Sequence, residues 1–455
     1  MRSVTPFADL GLAVRLIGLK SMGVLACLSL LAVLLLAGPA SAASPGPPPG
    51  MALIPGGSYK PLYSKEATSR AAQPSFMDVM QVTNGEFLAF VRAHPEWQRS
   101  KVPRTRADKN YLSHWLGDLD LGAKAPVNAP VTLVSWFAAQ AYCEAHGKRL
   151  PTQDEWEFAA RADTTRTDAS TDQAFLRLLL EWYTKPATTA LDDVHSGILN
   201  VHGLRGMHGL VWEWVHDFNS TMIAGDSRSD GSLERQLFCG AGSLLAADVS
   251  NYAAYMRFAF RSSLQGNYCV GSLGFRAAKS VTANAKDTNR SGAFTTPYDL
   301  PGEWRTQDGK PVTLAGLRGK VRVITMGFTR CKFACPRIFN DMQRVETTLG
   351  ADADRVGFTF LSIDPQNDTP ARMTAKMAEM KMNPARWTFL TAPDATVQQL
   401  AVAMNFKFQL VEGFFAHSNL IAVLDENGHV LHREESLGAD IEPTVSTVQQ
   451  QLSKR

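Results

Sequence analysis

Cysteine is scarce in this chain: six stand among 455 residues, at positions 27, 143, 239, 269, 331 and 335. So low a density excludes a small scaffold stapled by disulfides, and hydrophobic cores must hold the folds together. An excess of charge of one sign is also missing, since 46 Lys and Arg face 43 Asp and Glu for a formal net charge of +3. No basic block interleaved with aromatics occurs, so the sequence predicts no nucleic-acid partner. Apolar content of 45% and charged content of 20% are globular values, and the length suits two domains.

Long apolar runs are absent except at the N-terminus. There Arg2, Arg15 and Lys20 precede the run Met22 to Ala37, followed by Gly38-Pro39 and Ala40-Ser41-Ala42. Basic, apolar and small-residue segments in that order predict a signal peptide over residues 1–42, cleaved after Ala42. Export to the oxidising periplasm of a Gram-negative-type cell follows. The competing expectation is an uncleaved anchor helix tethering the protein to the inner membrane, because Met22 to Ala40 approaches spanning length. A lipoprotein-like box at Val24-Leu25-Ala26-Cys27 lies inside the apolar run rather than at its end, which argues against cleavage there. Loss of Cys27 with the leader leaves five thiols. Five is odd, so at least one is unpaired, reserved for a partner, or bound to metal.

The most informative thiols are those in Thr329-Arg330-Cys331-Lys332-Phe333-Ala334-Cys335-Pro336. An apolar strand, Val321 to Met326, runs into Gly327-Phe328. A helix predicted over Pro336 to Leu349 follows, with Ile338, Phe339, Met342, Val345 and Leu349 on one face. Cys335 then sits near a helix N-terminus, where unpaired N–H groups and the helix dipole favour a thiolate. A thiolate pair has two chemical uses. It cycles through a disulfide, or it binds a soft metal such as Cu(I).

In the N-terminal half, residues 43–50 read as a Pro/Gly-rich spacer. Helices are predicted from Thr83 or Asn84, from Ser135, and from Thr152, where Thr152-Gln153-Asp154-Glu155 forms a capping box. The run from Ala139 to Cys143 and from Gly147 to Arg161, then Met207-His208-Gly209-Leu210-Val211-Trp212-Glu213-Trp214 and Gly274-Phe275-Arg276, closely resembles the formylglycine-generating enzyme (sulfatase-modifying factor) family. Met51 to Gly57 resembles its usual opening. The resemblance covers most of residues 51–278 and implies an irregular α+β fold. Its oxidase members carry a copper-binding cysteine pair after a Gly-Gly-Ser segment, whereas Gly240 to Asn251 holds none. The resemblance therefore implies a non-catalytic docking or scaffold domain, and no catalytic residue is assigned; an enzyme with a different active site is the competing reading. Leu210 replaces the Asn tied to calcium in the family, which weakens a calcium expectation. No His-x-x-x-His-x-Glu triad occurs, so His202, His208 and His216 are expected to be structural or solvated. Cys239 and Cys269 are the candidates for one disulfide, and Cys143 is expected to be a buried small residue.

Residues 279–296 are small and polar and form the expected linker. Beyond it, strands alternate with helices over 297–452, the order of an α/β thioredoxin-like domain. The thiol segment, Ser362-Ile363-Asp364-Pro365 with Asp368-Thr369-Pro370, and His417 ahead of a hairpin closely resemble the Sco copper-chaperone family. That resemblance implies Cys331, Cys335 and His417 as metal ligands and copper, as Cu(I) or Cu(II), as the metal. Zn(II) also accepts such a set. A chaperone site is expected to be exposed and incomplete. Two departures bear on partner recognition: Ala416 precedes the histidine where Asp is frequent, and the loop between Phe408 and His417 is short. Met373, Met377 and Met380 share a helical face, which reads as packing rather than a copper relay. The expected function is an exported protein that delivers copper to, or maintains the thiols of, a periplasmic or membrane cuproenzyme such as cytochrome oxidase or a copper reductase. The alternative is a metal-free thiol–disulfide oxidoreductase cycling a Cys331–Cys335 disulfide.

Overall fold

The computed structural model describes residues 46–60, 69–184, 191–220, 252–281, 294–332, 334–411 and 413–454. The expected leader over residues 1–42, Cys239 and the Gly240 to Asn251 segment lie outside them. Among the described residues no helix is long and apolar enough to cross a membrane.

Regular structure is sparse in the N-terminal half, and its helices begin where side chains can replace missing backbone partners. Helix α1 (Asn84–Ala93) is closed by Thr83 and Glu86, each side chain accepting the other's backbone N–H. Ser135 caps α2 (Trp136–Ala145), and Thr152 with Glu155 repeats the reciprocal cap on α3 (Gln153–Ala160). Helices α4 (Gln173–Thr184) and α5 (Tyr252–Ser263) follow. Strands β1 (Met51–Ile54), β2 (Gly57–Tyr59), β3 (Arg70–Ala72) and β4 (Ser75–Asp78) come early; β5 (Trp212–Glu213), β6 (Leu273–Gly274) and β7 (Ala278–Ser280) come late. The sheet order β1-β4-β7 joins the two ends of the half, and β2-β3 and β5-β6 form two small pairs.

With so few ladder bonds, side chains do much of the holding. Phe87 stacks on Tyr142 with centroids 5.8 Å apart and meets Phe275 edge-on at 6.1 Å. Such pairs add about 0.5–1.5 kcal/mol each beyond the area they bury. At the centre, Arg276 donates to both oxygens of Glu213 at 2.8 Å, with neither side chain exposed. Trp156 Nε1 and Gln81 Nε2 donate to the same carboxylate at 2.7 and 2.8 Å. Three separated sequence signatures thus converge on one carboxylate, satisfying a charge that burial alone would make prohibitive. Leu210, in place of the family's Asn, packs its methyl group against Gly197 and Gly206.

The second half contains β8 (Trp304–Thr306), β9 (Pro311–Val312), β10 (Val321–Gly327), β11 (Val356–Ser362), β12 (Trp387–Thr391), β13 (Phe408–Val411), β14 (Phe414–His417), β15 (Ile421–Leu424) and β16 (Val430–Glu434). Its helices are α6 (Ala334–Leu349), α7 (Pro370–Glu379), α8 (Asp394–Ala403) and α9 (Glu442–Ser453). One sheet runs β16-β15-β10-β11-β12-β8-β9. Its centre, β10-β11-β12, is parallel, and an antiparallel hairpin extends each edge, as expected of a thioredoxin-like fold. Every residue of β11 is buried, the pattern of a strand covered on both faces.

Helix α6 starts at Ala334 rather than Pro336. The first turn has no upstream carbonyls to satisfy, so a proline with no N–H costs little there. Met373 and Met377 are buried in the core and Met380 packs against it, in line with the packing reading. The expected linker is occupied by ordered contacts at both ends: β7 runs to Ser280, and Phe294 meets Phe137 of α2 edge-on at 4.9 Å. From Pro47 onward the two halves form one unit.

Candidate metal centre

The site forms where β10 gives way to α6. Cys331 lies in the turn between them, Cys335 lies in the first turn of α6, and His417 closes β14. Their donor atoms, two Sγ and one imidazole nitrogen, all lie within 4.8 Å of one another. Among the described residues these are the His, Cys, Asp or Glu side chains that gather three donor atoms so closely.

The histidine is oriented by its neighbours. Its Nδ1 lies 2.8 Å from the carbonyl oxygen of Ser418, and its Nε2 lies 3.6 Å from Cys335 Sγ. A carbonyl only accepts, so Nδ1 carries the proton and Nε2 presents its lone pair to the thiols. This is the arrangement by which an outer carbonyl fixes a metal-binding imidazole. Phe406 stacks on the ring at 5.7 Å, and Phe328 meets it edge-on at 5.8 Å.

The thiols are fixed from the other side. Cys335 N–H donates to Cys331 Sγ at 3.4 Å. Buried Asp368 accepts from the backbone N–H and hydroxyl of Thr329 and from the Ser362 hydroxyl. Arg330 pairs with Asp364 at 2.8 Å. Both carboxylates come from the loop after β11, so the loop that follows one central strand ties down the corner that follows its neighbour. Asp364 and Asp368 stood out in the sequence as motif residues, but their roles appear only with this register. Ser418 and Phe406 carried no signal of their own.

Two expectations are corrected. The site is not openly exposed: Cys335 and His417 are 3% and 2% accessible, and Cys331 alone is half-buried. The β13-β14 hairpin folds His417 inward, and Phe328 packs edge-on against Phe415 of that hairpin at 5.7 Å. Nor is Cys335 a depressed thiol. Its hydrogen bonding with Cys331, followed by burial, pushes it well above the ordinary range.

The remaining candidates stay apart from this cluster. His208 is half-buried with Nε2 2.9 Å from the Ala160 carbonyl, and desolvation pulls its pKa down to about 3. Burial likewise pulls His216 down to about 4, and burial lowers the pKa of His202. Cys143 is a buried free thiol. Cys269 is also free, with Sγ 3.5 Å from the Asn267 carbonyl, while its proposed partner Cys239 lies outside the described residues. Two thiols and an imidazole with its lone pair turned inward form a soft donor set, fitted to a monovalent soft cation at three coordination or to a divalent one with an added donor.

Comparison with known proteins covers both halves. A formylglycine-generating enzyme of Streptomyces coelicolor is 29% identical over 300 residues, spanning 53% of this chain and 94% of that relative. A SCO1 protein homolog of Bacillus subtilis is 33% identical over 91 residues, spanning 20% of this chain and 47% of that relative. Among solved structures, Bradyrhizobium japonicum ScoI with copper bound is 26% identical at a TM-score of 0.30, covering 33% of this chain and 97% of that one. The sulfatase-modifying factor enzyme 1-like family model matches residues 38–281, more than half the chain, and the SCO1/SenC model matches residues 287–452. The chain belongs to the sulfatase-modifying factor enzyme 1-like family and continues into a SCO1/SenC domain that holds the two thiols and His417.

Proposed function

We propose that this is an exported copper-binding protein that delivers copper to, or keeps reduced the thiols of, a cuproenzyme outside the cytoplasm. One observation carries the reading: His417 Nε2 is turned toward the Cys331–Cys335 pair while Nδ1 is held by a carbonyl. Copper is cargo here, and a three-donor site leaves a coordination position through which a recipient's ligand enters. The half-buried Cys331 is the side from which that ligand approaches. The SCO1/SenC match supports the assignment of the domain, and the sulfatase-modifying factor-like half serves as its scaffold. Cu(I) titration of the full chain against a chromophoric chelator tests this. One equivalent is expected for the wild type, with sharp weakening in Cys331→Ser, Cys335→Ser and His417→Ala. Equal stoichiometry and affinity in all three variants would sink the proposal.

A second reading rests on the unequal exposure of the thiols, Cys331 accessible and Cys335 buried. In a thiol–disulfide exchange, the Cys331 thiolate attacks a substrate disulfide and releases one substrate thiolate. Cys335 then attacks the mixed disulfide and releases the second, so the chain loses two electrons and two protons and the substrate gains them. That activity would persist in His417→Ala, whereas copper binding would not.

A further inference from the structure

We infer that the N-terminal half is a positioning element for His417, with Asn219 its principal contact; the inference rests on the copper reading. Buried Asn219, just after the Trp212-Glu213-Trp214 signature, reaches across the interface with both ends of its amide. Its Nδ2 donates to the Phe406 carbonyl at 3.0 Å, and its Oδ1 accepts from Gln398 of α8 at 2.5 Å. The Gln398 amide also approaches the His216 carbonyl at 3.3 Å. One residue further along, Lys407 Nζ donates to the Ser262 carbonyl at 2.6 Å. Docking two halves requires only apolar area, but directed bonds from buried groups fix a register.

The register that they fix is that of the metal-binding hairpin. Phe406 stacks on the His417 ring. Lys407 pairs with Ser418 through two backbone groups: Ser418 N–H donates to Lys407 O at 2.8 Å, and Lys407 N–H donates to Ser418 Oγ at 3.0 Å. Ser418 is also the residue whose carbonyl holds His417 Nδ1. The clamped dipeptide Phe406-Lys407 therefore touches both the face of the imidazole and the residue that orients it. How the chain reaches this point is also defined. Helix α8 ends with Asn405 left-handed at φ 45°, with Phe406 N–H bonded to Ala401 O and Asn405 N–H to Val402 O. That reciprocal closure aims Phe406 back toward the N-terminal half. The contact is tight next to it: a Cβ on Gly266 would lie 2.5 Å from Val402 Cγ1.

The experiment uses the full chain and a double-mutant cycle. In metal-free protein, Asn219→Ala is expected to accelerate hydrogen exchange at the Ser418 amide about three- to tenfold, the range set by one buried hydrogen bond. In Cu(I) competition the same variant is expected to bind about three- to tenfold more weakly, and that loss disappears when His417 is already Ala. A merely structural Asn219 would give the same loss in both backgrounds. Such equal losses, or Ser418 exchange and copper affinity both at wild-type values, overturn the inference. A wild-type chain that takes up no Cu(I) overturns the copper reading instead, and Ser418 exchange then decides the positioning role. Lys407→Met and Gly266→Val, which release or wedge the same contact without touching Asn219, carry the test if Asn219→Ala does not fold.

Discussion

Gly327 and Cys335 are in such close contact that a Cβ on the glycine would lie 2.8 Å from the cysteine sulfur. The last residue of β10 has to be glycine for the thiol to lie against the strand end. Gly327→Ala therefore forces the sulfur or the strand to move, a change expected to cost about 1–3 kcal/mol. Denaturant unfolding measures the cost, and Cu(I) competition is expected to show weaker binding. Wild-type affinity in this variant would contradict the packing account.

The carboxylate of Asp368 takes three hydrogen bonds from Thr329 and Ser362 at the thiol corner. Asp368→Ala leaves those donors without their acceptor inside the fold. The expected loss is about 2–4 kcal/mol, with weaker Cu(I) binding because Thr329 lies two residues from Cys331. Thermal unfolding and chelator competition on the same preparation check both.

Acid sensitivity is predicted for the N-terminal half from Glu157. Burial works against its ionisation, but Arg257 and Arg261 outweigh burial and bring its pKa from 4.5 to about 2. A depressed carboxyl contributes stability that is present above its unfolded value and lost as pH falls through the folded one. The window is pH 4.5 down to about 2. Glu157→Gln strands two buried guanidiniums and is expected to cost about 3–5 kcal/mol near neutrality. It should also flatten the acid dependence in that window, as read from denaturant midpoints across pH.

Met373→Leu and Met377→Leu are expected to cost less than about 1.5 kcal/mol each, since both side chains fill core volume. Copper stoichiometry should not change. Loss of bound copper in either variant would restore the relay reading.

Much of the fold was legible because it is written in local chemistry. Thr83, Ser135 and Thr152 announce their helices by capping, and the apolar run at Val321 and the buried run at Val356 announce parallel strands. The thiol spacing and His417 were likewise visible. What was not legible depends on residues far apart in sequence. Ser418 matters because a carbonyl happens to face an imidazole, and a carbonyl is present at every position. Asn219 matters only once α8 and the hairpin are packed against the N-terminal half. The site's burial escaped for the same reason, since exposure is a property of what folds over a loop. The raised Cys335 thiol likewise depends on its closeness to Cys331 and on burial, which only the folded chain defines.

The separation between Cys335 and His417, 82 residues along the chain, also has a meaning in time. A ribosome adding roughly 5–20 residues per second makes the imidazole about 4–16 s after the second thiol. Throughout that interval the thiol pair exists without the residue that completes it. The nascent chain therefore passes through a stage at which both thiols have been made and the imidazole that joins them has not.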